Sequence, residues 1–225
     1  MEIAPDVHAV QLLGATAFVF SEERLTVVDA GLGGSRPVLL RYLRRIGRDI
    51  SELDRIICTH GHPDHIGGVR ELVDDGVEVL MHPADLAGLS LTFREAMAAS
   101  QGGTRRGHLL HYLTRHPGDA TPLHDNEVLP MLGGLEVIHT PGHTPGSVCL
   151  YARSLRLLFT GDVLQVRRGR LDFASPVFSH DMAQARASVH RLAALDVDMI
   201  ASSHYPPIRD GSAALAGLAA RAVTS

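Results

Sequence analysis

His60, His62, Asp64 and His65 fall within six positions of the stretch THGHPDHIGG, residues 59–68, directly after Arg55-Ile56-Ile57-Cys58. Imidazole and carboxylate groups crowded at this spacing are metal ligands by chemistry, suited to zinc, iron or manganese. In H-x-H-x-D-H a turn must follow the strand, so that His60 and His62 point to one side while Asp64 and His65 reach a second point. Gly61 and Pro63 are fitting residues for that turn. Four protein groups in six positions exceed what one catalytic ion with an open position needs. Two adjacent divalent ions are therefore implied.

The elements that must carry these groups form an internal repeat. Leu25-Thr26-Val27-Val28-Asp29 reads as a β-branched strand ending in an aspartate, and Leu157-Leu158-Phe159-Thr160-Gly161-Asp162 has the same ending. Each is followed by a segment of helical period, with Val38, Leu39, Leu43 and Ile46 apolar in residues 36–46, and Met182, Ala185, Val189, Leu192 and Leu195 in residues 181–195. A second strand follows in each half, and the two share the pattern D-x-I-x-x-x-H, from Asp54 to His60 and from Asp198 to His204. The duplication predicts two similar β/α halves packed together. Ligands gather outside the carboxyl ends of strands in open sheets, so Asp29, His60, Asp162 and His204 are expected to converge on one edge.

Composition removes several other chemistries. The chain has 225 residues, 45% of them hydrophobic and 20% charged, enough for one large core or two fused halves and unlike a disordered chain. A formal net charge of -4 argues against a general nucleic-acid binder and for a small-molecule substrate. All 21 basic residues are arginine, which excludes Schiff-base lysines and a P-loop lysine. No serine-hydrolase elbow and no dinucleotide-binding glycine pattern occurs. The start of the chain has no signal-peptide pattern and no apolar run reaches membrane-spanning length, so a cytoplasmic location and no membrane partner are expected. Cys58 and Cys149 read as isolated buried thiols.

Between the halves, residues 90–127 are the least regular. They carry Phe93, Met97, Arg105, Arg106, His108, His111, Tyr112, Arg115, His116 and His124, with a helix expected at 107–115. The segment reads either as an insertion over the site or as a solvated connection. His82 and His139 read as packing residues or as hydrogen-bond partners of ligand side chains, and His8, His180 and His190 as surface residues. Arg167, Arg168 and Arg170 read as a solvated loop or an anion contact.

Five stretches together resemble the metallo-β-lactamase superfamily, in particular its glyoxalase II-like (hydroxyacylglutathione hydrolase-like) branch. They are VVDAG at 27–31, THGHPDHIGG at 59–68, HTPGHTPGS at 139–147, FTGD at 159–162 and SSHYPP at 202–207. The resemblance implies an α/β fold, an αββα four-layer sandwich, with residues 1–225 as one domain. It also implies that His60, His62 and His143 hold a first ion, that Asp64, His65 and His204 hold a second, and that Asp162 bridges them. Asp29 would orient ligand histidines through their other ring nitrogen. True β-lactamases that use two zincs commonly place cysteine where Asp162 stands, which argues against antibiotic hydrolysis. Glyoxalase II grips glutathione through a helical carboxyl-terminal domain, and the chain stops soon after His204, which argues against glutathione specificity. The family's last histidine is often followed by glycine, whereas here Tyr205-Pro206-Pro207 follows.

The implied reaction is hydrolysis of a small ester, thioester or lactone by a hydroxide bridging two divalent ions, zinc first, with iron or manganese as alternatives. Asp64 would orient the nucleophile, and Tyr205 would either donate to the developing oxyanion or pack with its tip in water. Two other activities are compatible with the resemblance, a mononuclear iron oxygenase of the persulfide dioxygenase type and, less favoured by the charge, a phosphodiesterase.

Overall fold

A computed structural model describes residues 1–74, 76–89 and 117–222. The first sheet runs in the order β1 (Glu2–Ala4), β2 (Val7–Gln11), β3 (Thr16–Phe20), β4 (Leu25–Val28), β5 (Leu53–Cys58), β6 (Glu78–Met81), β7 (Thr121–Pro122). Strands β1 to β4 form an antiparallel meander, and β4 to β7 are parallel. The second sheet contains β8 (Val128–Leu129), β9 (Leu135–His139), β10 (Val148–Ala152), β11 (Leu157–Phe159), β14 (Met199–Ala201) and β15 (Ile208–Arg209). Strands β12 (Leu164–Arg167) and β13 (Arg170–Phe173) form a separate hairpin.

Period-two alternation builds the layers. Val28 and Ile57 of the first sheet, and Leu157 and Phe159 of the second, point inward to a core that also holds Phe18, Phe20, Leu123 and Leu150. Their neighbours Val27, Ile56 and Cys58 face outward, onto Leu39 and Leu43 of α1 (Arg36–Arg45). On the other side Leu158, Cys149 and Ile200 face Val189 and Leu192 of α5 (Met182–Leu192) and Leu215 and Leu218 of α6 (Gly211–Ala222). Three short helices, α2 (Pro63–Ile66), α3 (Val69–Leu72) and α4 (Pro83–Leu89), complete the outer layer of the first sheet. The result is the αββα sandwich expected from the sequence.

Each predicted repeat is a parallel strand–helix–strand crossover. Register pairs Val27 with Ile56 across β4 and β5, and Leu158 with Ile200 across β11 and β14. Local signals fit: Pro37 sits in the first turn of α1, where its missing N–H costs nothing, and Asp181 caps α5 by accepting from the Ala183 and Gln184 amides. Both thiols are buried, with burial pushing Cys149 up to about 12 and Cys58 well above the usual thiol range, so neither is a nucleophile.

Residues 90–116 of the irregular segment, with its expected helix, lie outside the described residues. Its far end belongs to the sandwich: Thr121–Pro122 add to the first sheet as β7, and Leu123 is fully buried between the sheets. His8, expected at the surface, is buried instead, because β2 faces α1 there, with Nε2 3.0 Å from Ser21 Oγ and Nδ1 3.2 Å from the Tyr42 hydroxyl. His190 is exposed and His180 half-buried. Among the described residues, no helix is long and apolar enough to cross a membrane.

Phe159 sits where the sheets meet, its ring 5.0 Å from Phe18 and 5.3 Å from Phe20. Phe159→Ala should lower unfolding free energy by roughly 3–5 kcal/mol, as for aromatic truncation in a packed core. Urea titration measures it, and a loss below about 1 kcal/mol would contradict this placement.

Candidate metal centre

Strand ends of both sheets deliver the candidate ligands to one edge. Asp29 follows β4, and residues 59–65 follow β5 into α2. His143 lies in the loop between β9 and β10, Asp162 follows β11 and His204 follows β14. Two backbone bonds tie the sheets together there, from the Val148 amide to the Thr59 carbonyl (2.9 Å) and from the Thr16 amide to the Ser203 carbonyl (2.7 Å). Gly161 permits the approach of the second half, since a Cβ in its φ +49° conformation would lie 2.7 Å from Thr59 Oγ1.

All seven residues expected as ligands come together. Potential donor atoms of His60, His62 and His143 form one group, those of Asp64, His65 and His204 a second, and those of His60, His65 and Asp162 a third, with separations within 4.8 Å inside each. His143 Nε2 lies 3.2 Å from His60 Nε2 and 3.0 Å from His62 Nδ1. Zinc–nitrogen bonds of roughly 2.0–2.1 Å in a tetrahedron require ligand nitrogens about 3.3 Å apart, so this spacing fits an ion. Asp162 stands between the first two groups, Oδ1 being 3.1 Å from His204 Nε2 and 3.3 Å from His65 Nε2, and Oδ2 3.7 Å from His143 Nε2.

Hydrogen bonds on the far side of the rings decide which nitrogens carry lone pairs. Asp29 Oδ1 accepts from the Thr59 amide (2.8 Å) and Oδ2 from both Thr59 Oγ1 (2.8 Å) and His65 Nδ1 (2.7 Å). Because the Thr59 hydroxyl spends its one proton on Asp29, it must accept from His60 Nδ1, 3.1 Å away. Ser179 works likewise: its hydroxyl donates to the Ser175 carbonyl (2.7 Å) and so accepts from His143 Nδ1 (3.2 Å). His60 and His143 in their neutral forms therefore both present an unprotonated Nε2 to the cluster. His65 Nε2 and Asp162 Oδ1 are buried atoms that make no hydrogen bond among the described residues, and buried polar atoms of that kind need a partner. Donor set, spacing, tautomers and these two atoms all fit divalent cations.

The electrostatics differ across the cluster. Burial, then the neighbouring His65, His143 and His62, holds His60 well below the usual imidazole range, which preserves its lone pair. Burial opposes charge on His65, but Asp162 and Asp29 outweigh it and raise His65 well above that range. Burial likewise opposes charge on Asp162, yet His65 and His204 keep its carboxyl well below the usual carboxylate range. His65 and Asp162 thus form a charge pair at the centre of the cluster, 3.3 Å apart. A cleft of about 570 Å³ opens over the cluster, lined by Asp64, Asp162 and His204 together with Leu32, Phe178 and Tyr205.

Asp85 is not legible from the sequence. It is fully buried at the start of α4, its Oδ2 accepting from the Gly61 amide (2.7 Å) and Thr144 Oγ1 (2.7 Å), and its Oδ1 from the Gly146 amide (2.6 Å). One carboxylate thereby joins the loop of His60 and His62 to the loop of His143. In sequence it looks like any acidic residue in a helix first turn, and no spacing links it to residues 61 or 146. His82 and His139 stack face to face at 4.0 Å outside the ligand groups.

The profile of the metallo-beta-lactamase superfamily matches residues 11–204, and the chain belongs to that superfamily. It is 25% identical over 230 residues to the probable metallo-hydrolase YflN of Bacillus subtilis, covering 92% of this chain and 86% of that one. It is 32% identical over 181 residues to a hydroxyacylglutathione hydrolase of Aeromonas hydrophila, covering 80% of this chain but only 56% of the relative. A metallo-β-lactamase family protein of Thermus thermophilus superposes with a TM-score of 0.79 at 22% identity, over 99% of this chain and 81% of that one, and so shares the fold. These relatives set the chain among the metal-dependent hydrolases of the superfamily.

Asp85→Ala would leave two buried amides without acceptors, costing about 2–4 kcal/mol in all, and would let the histidine loops drift apart. Metal affinity, read by competition with a chelating dye, should fall about 10–100-fold, the range for lost outer partners of metal ligands. Unchanged affinity and unchanged urea midpoint would remove this role.

Proposed function

We propose that the chain hydrolyses a small thioester, ester or lactone at a dinuclear centre, with His60, His62 and His143 around one divalent ion, Asp64, His65 and His204 around the other, and Asp162 shared. The observation that carries this reading is the position of Asp162 between two three-residue groups, with a cleft above them. Zinc is the ion we favour for this nitrogen and oxygen donor set; iron and manganese accept the same donors.

Two such ions supply hydroxide at neutral pH and polarise a carbonyl. Asp29, through Thr59 and His65, keeps the ring nitrogens aimed inward. Asp64, about a third exposed at the cleft, is the group free to orient an attacking water and carry its proton. Tyr205, in the cleft wall, is the candidate donor to the tetrahedral oxyanion. Water adds to the carbonyl carbon, the carbon–sulfur or carbon–oxygen bond breaks, and the proton from water leaves with the thiol or alcohol. The substrate is a small molecule; nothing in the acidic composition favours a nucleic acid.

Asp162→Ala should lower kcat by at least about 100-fold, beyond the range for losing an outer partner of a ligand, and should reduce bound metal measured by plasma mass spectrometry. Near-normal turnover with full metal would show that Asp162 does not bridge. Tyr205→Phe should lower kcat roughly 10²–10³-fold with metal content unchanged if the hydroxyl serves the oxyanion. An unaltered kcat assigns Tyr205 to packing alone. A panel of thioesters, lactones, persulfides and phosphodiesters tests the reaction itself: consumption of dioxygen with persulfide, by protein holding one iron, would replace the hydrolase with the oxygenase.

A further inference from the structure

A second cavity, of about 1000 Å³, lies on the other side of Tyr205 and His204, which line both spaces. Its walls include Val38, Tyr42, Pro206 and Pro207, and one flank carries Arg41, Arg44 and Arg45 of α1. Among the described residues that line it there is no carboxylate, although the protein as a whole is acidic. Many arginines elsewhere are matched, as Arg55 is by Asp54 and Glu78, and Arg156 by Asp196 and Asp198. Among the described residues Arg41, Arg44 and Arg45 form no ion pair. Arg45 lies over the Tyr42 ring at 4.5 Å, which holds its guanidinium along the cavity flank.

Charge at the end of a helix dipole accounts for Arg44 and Arg45, but not for Arg41, which precedes the last turn, nor for the cavity beside it. Three guanidinium groups beside a space at the upper end of ligand-pocket sizes ask for a large ligand with several negative charges. Guanidinium forks match phosphate oxygens two at a time.

We propose that this cavity holds the phosphate-bearing leaving group of the substrate, so that the chain acts on thioesters of a phosphorylated thiol such as coenzyme A. The acyl part lies in the 570 Å³ cleft against Leu32 and Phe178, the scissile carbonyl lies at the ligand cluster beside Tyr205, and the thiol's phosphates meet Arg41, Arg44 and Arg45. The orientation rests on the hydrolase reading above; the anion site does not.

The test uses metal-loaded protein and three thioesters of one acyl group, joined to coenzyme A, to glutathione or to neutral N-acetylcysteamine. In Arg41→Ala/Arg45→Ala, both exposed positions that should leave folding intact by circular dichroism, KM for the coenzyme A thioester should rise about tenfold more than KM for the neutral one, as expected for losing a charge-assisted hydrogen bond. Calorimetry with S-methyl coenzyme A, which cannot be hydrolysed, should show binding to the wild type that weakens about tenfold or more in the double variant and with added salt. The same KM ratio in both proteins, or binding indifferent to the arginines, overturns the proposal. So does a greater dependence of the glutathione thioester than of the coenzyme A thioester on the arginines. If S-methyl coenzyme A binds through the arginines while no thioester is cleaved, the hydrolase reading fails and the anion cavity stands.

Discussion

One buried carboxylate, that of Asp29, sets the conditions for everything else at this edge. It is 1% exposed and takes three hydrogen bonds, from the Thr59 amide, the Thr59 hydroxyl and His65 Nδ1. Its backbone is left-handed (φ 60°), a conformation aspartate adopts more readily than most residues. That turn at the end of β4 aims the carboxylate across at the end of β5, with the parallel register of the two strands supplying the distance. Through Thr59 the same anion reaches His60, so a single group settles the proton positions on two rings. Ser179, far away in sequence, does this for His143.

Burying such a cluster is costly, and the surrounding structure is built to bear that cost. His60, His62, His65 and His143 are all at most 3% exposed, and isolated buried charges in that setting would be neutralised or expelled. Neutral rings on one side and the His65–Asp162 pair on the other divide the site into a part rich in lone pairs and a part that holds a charge pair. Asp85 and the two backbone bonds between sheets keep these parts in contact. Rigidity here serves function, because ligand positions loose by an ångström would not share an ion. Asp64, Asp162 and His204 are the more accessible members, and they line the cleft together with His62 and His143.

Much of this is written plainly in the chain. The repeated D-x-I-x-x-x-H predicts two parallel crossovers with candidate ligands at their carboxyl ends, and the structure has the crossovers at β4–α1–β5 and β11–α5–β14. Short apolar alternation sets the sheet faces, since Val27 and Val28 or Leu157 and Leu158 must face opposite ways. What stays hidden is set by long-range contact. Asp85 acts through atoms 24 and 61 residues away along the chain, His8 is buried only because α1 crosses β2, and Thr121–Pro122 is too short and too rich in proline to read as a strand until β6 lies beside it. The hairpin of β12 and β13 reads in sequence as a basic loop, although Arg167 and Arg170 flank its turn.

The central claim is that both ligand groups are filled and that Asp162 joins them. Metal analysis of protein purified without added metal, combined with anomalous diffraction at the absorption edge of the metal found, tests it most directly. Two ions per chain are predicted, about 3.5–4 Å apart, one among His60, His62 and His143 and one among Asp64, His65 and His204, with a carboxylate oxygen of Asp162 within bonding distance of each. A single ion, in protein that takes up no second on titration with zinc, would contradict the account, as would an Asp162 carboxylate turned away from the cluster.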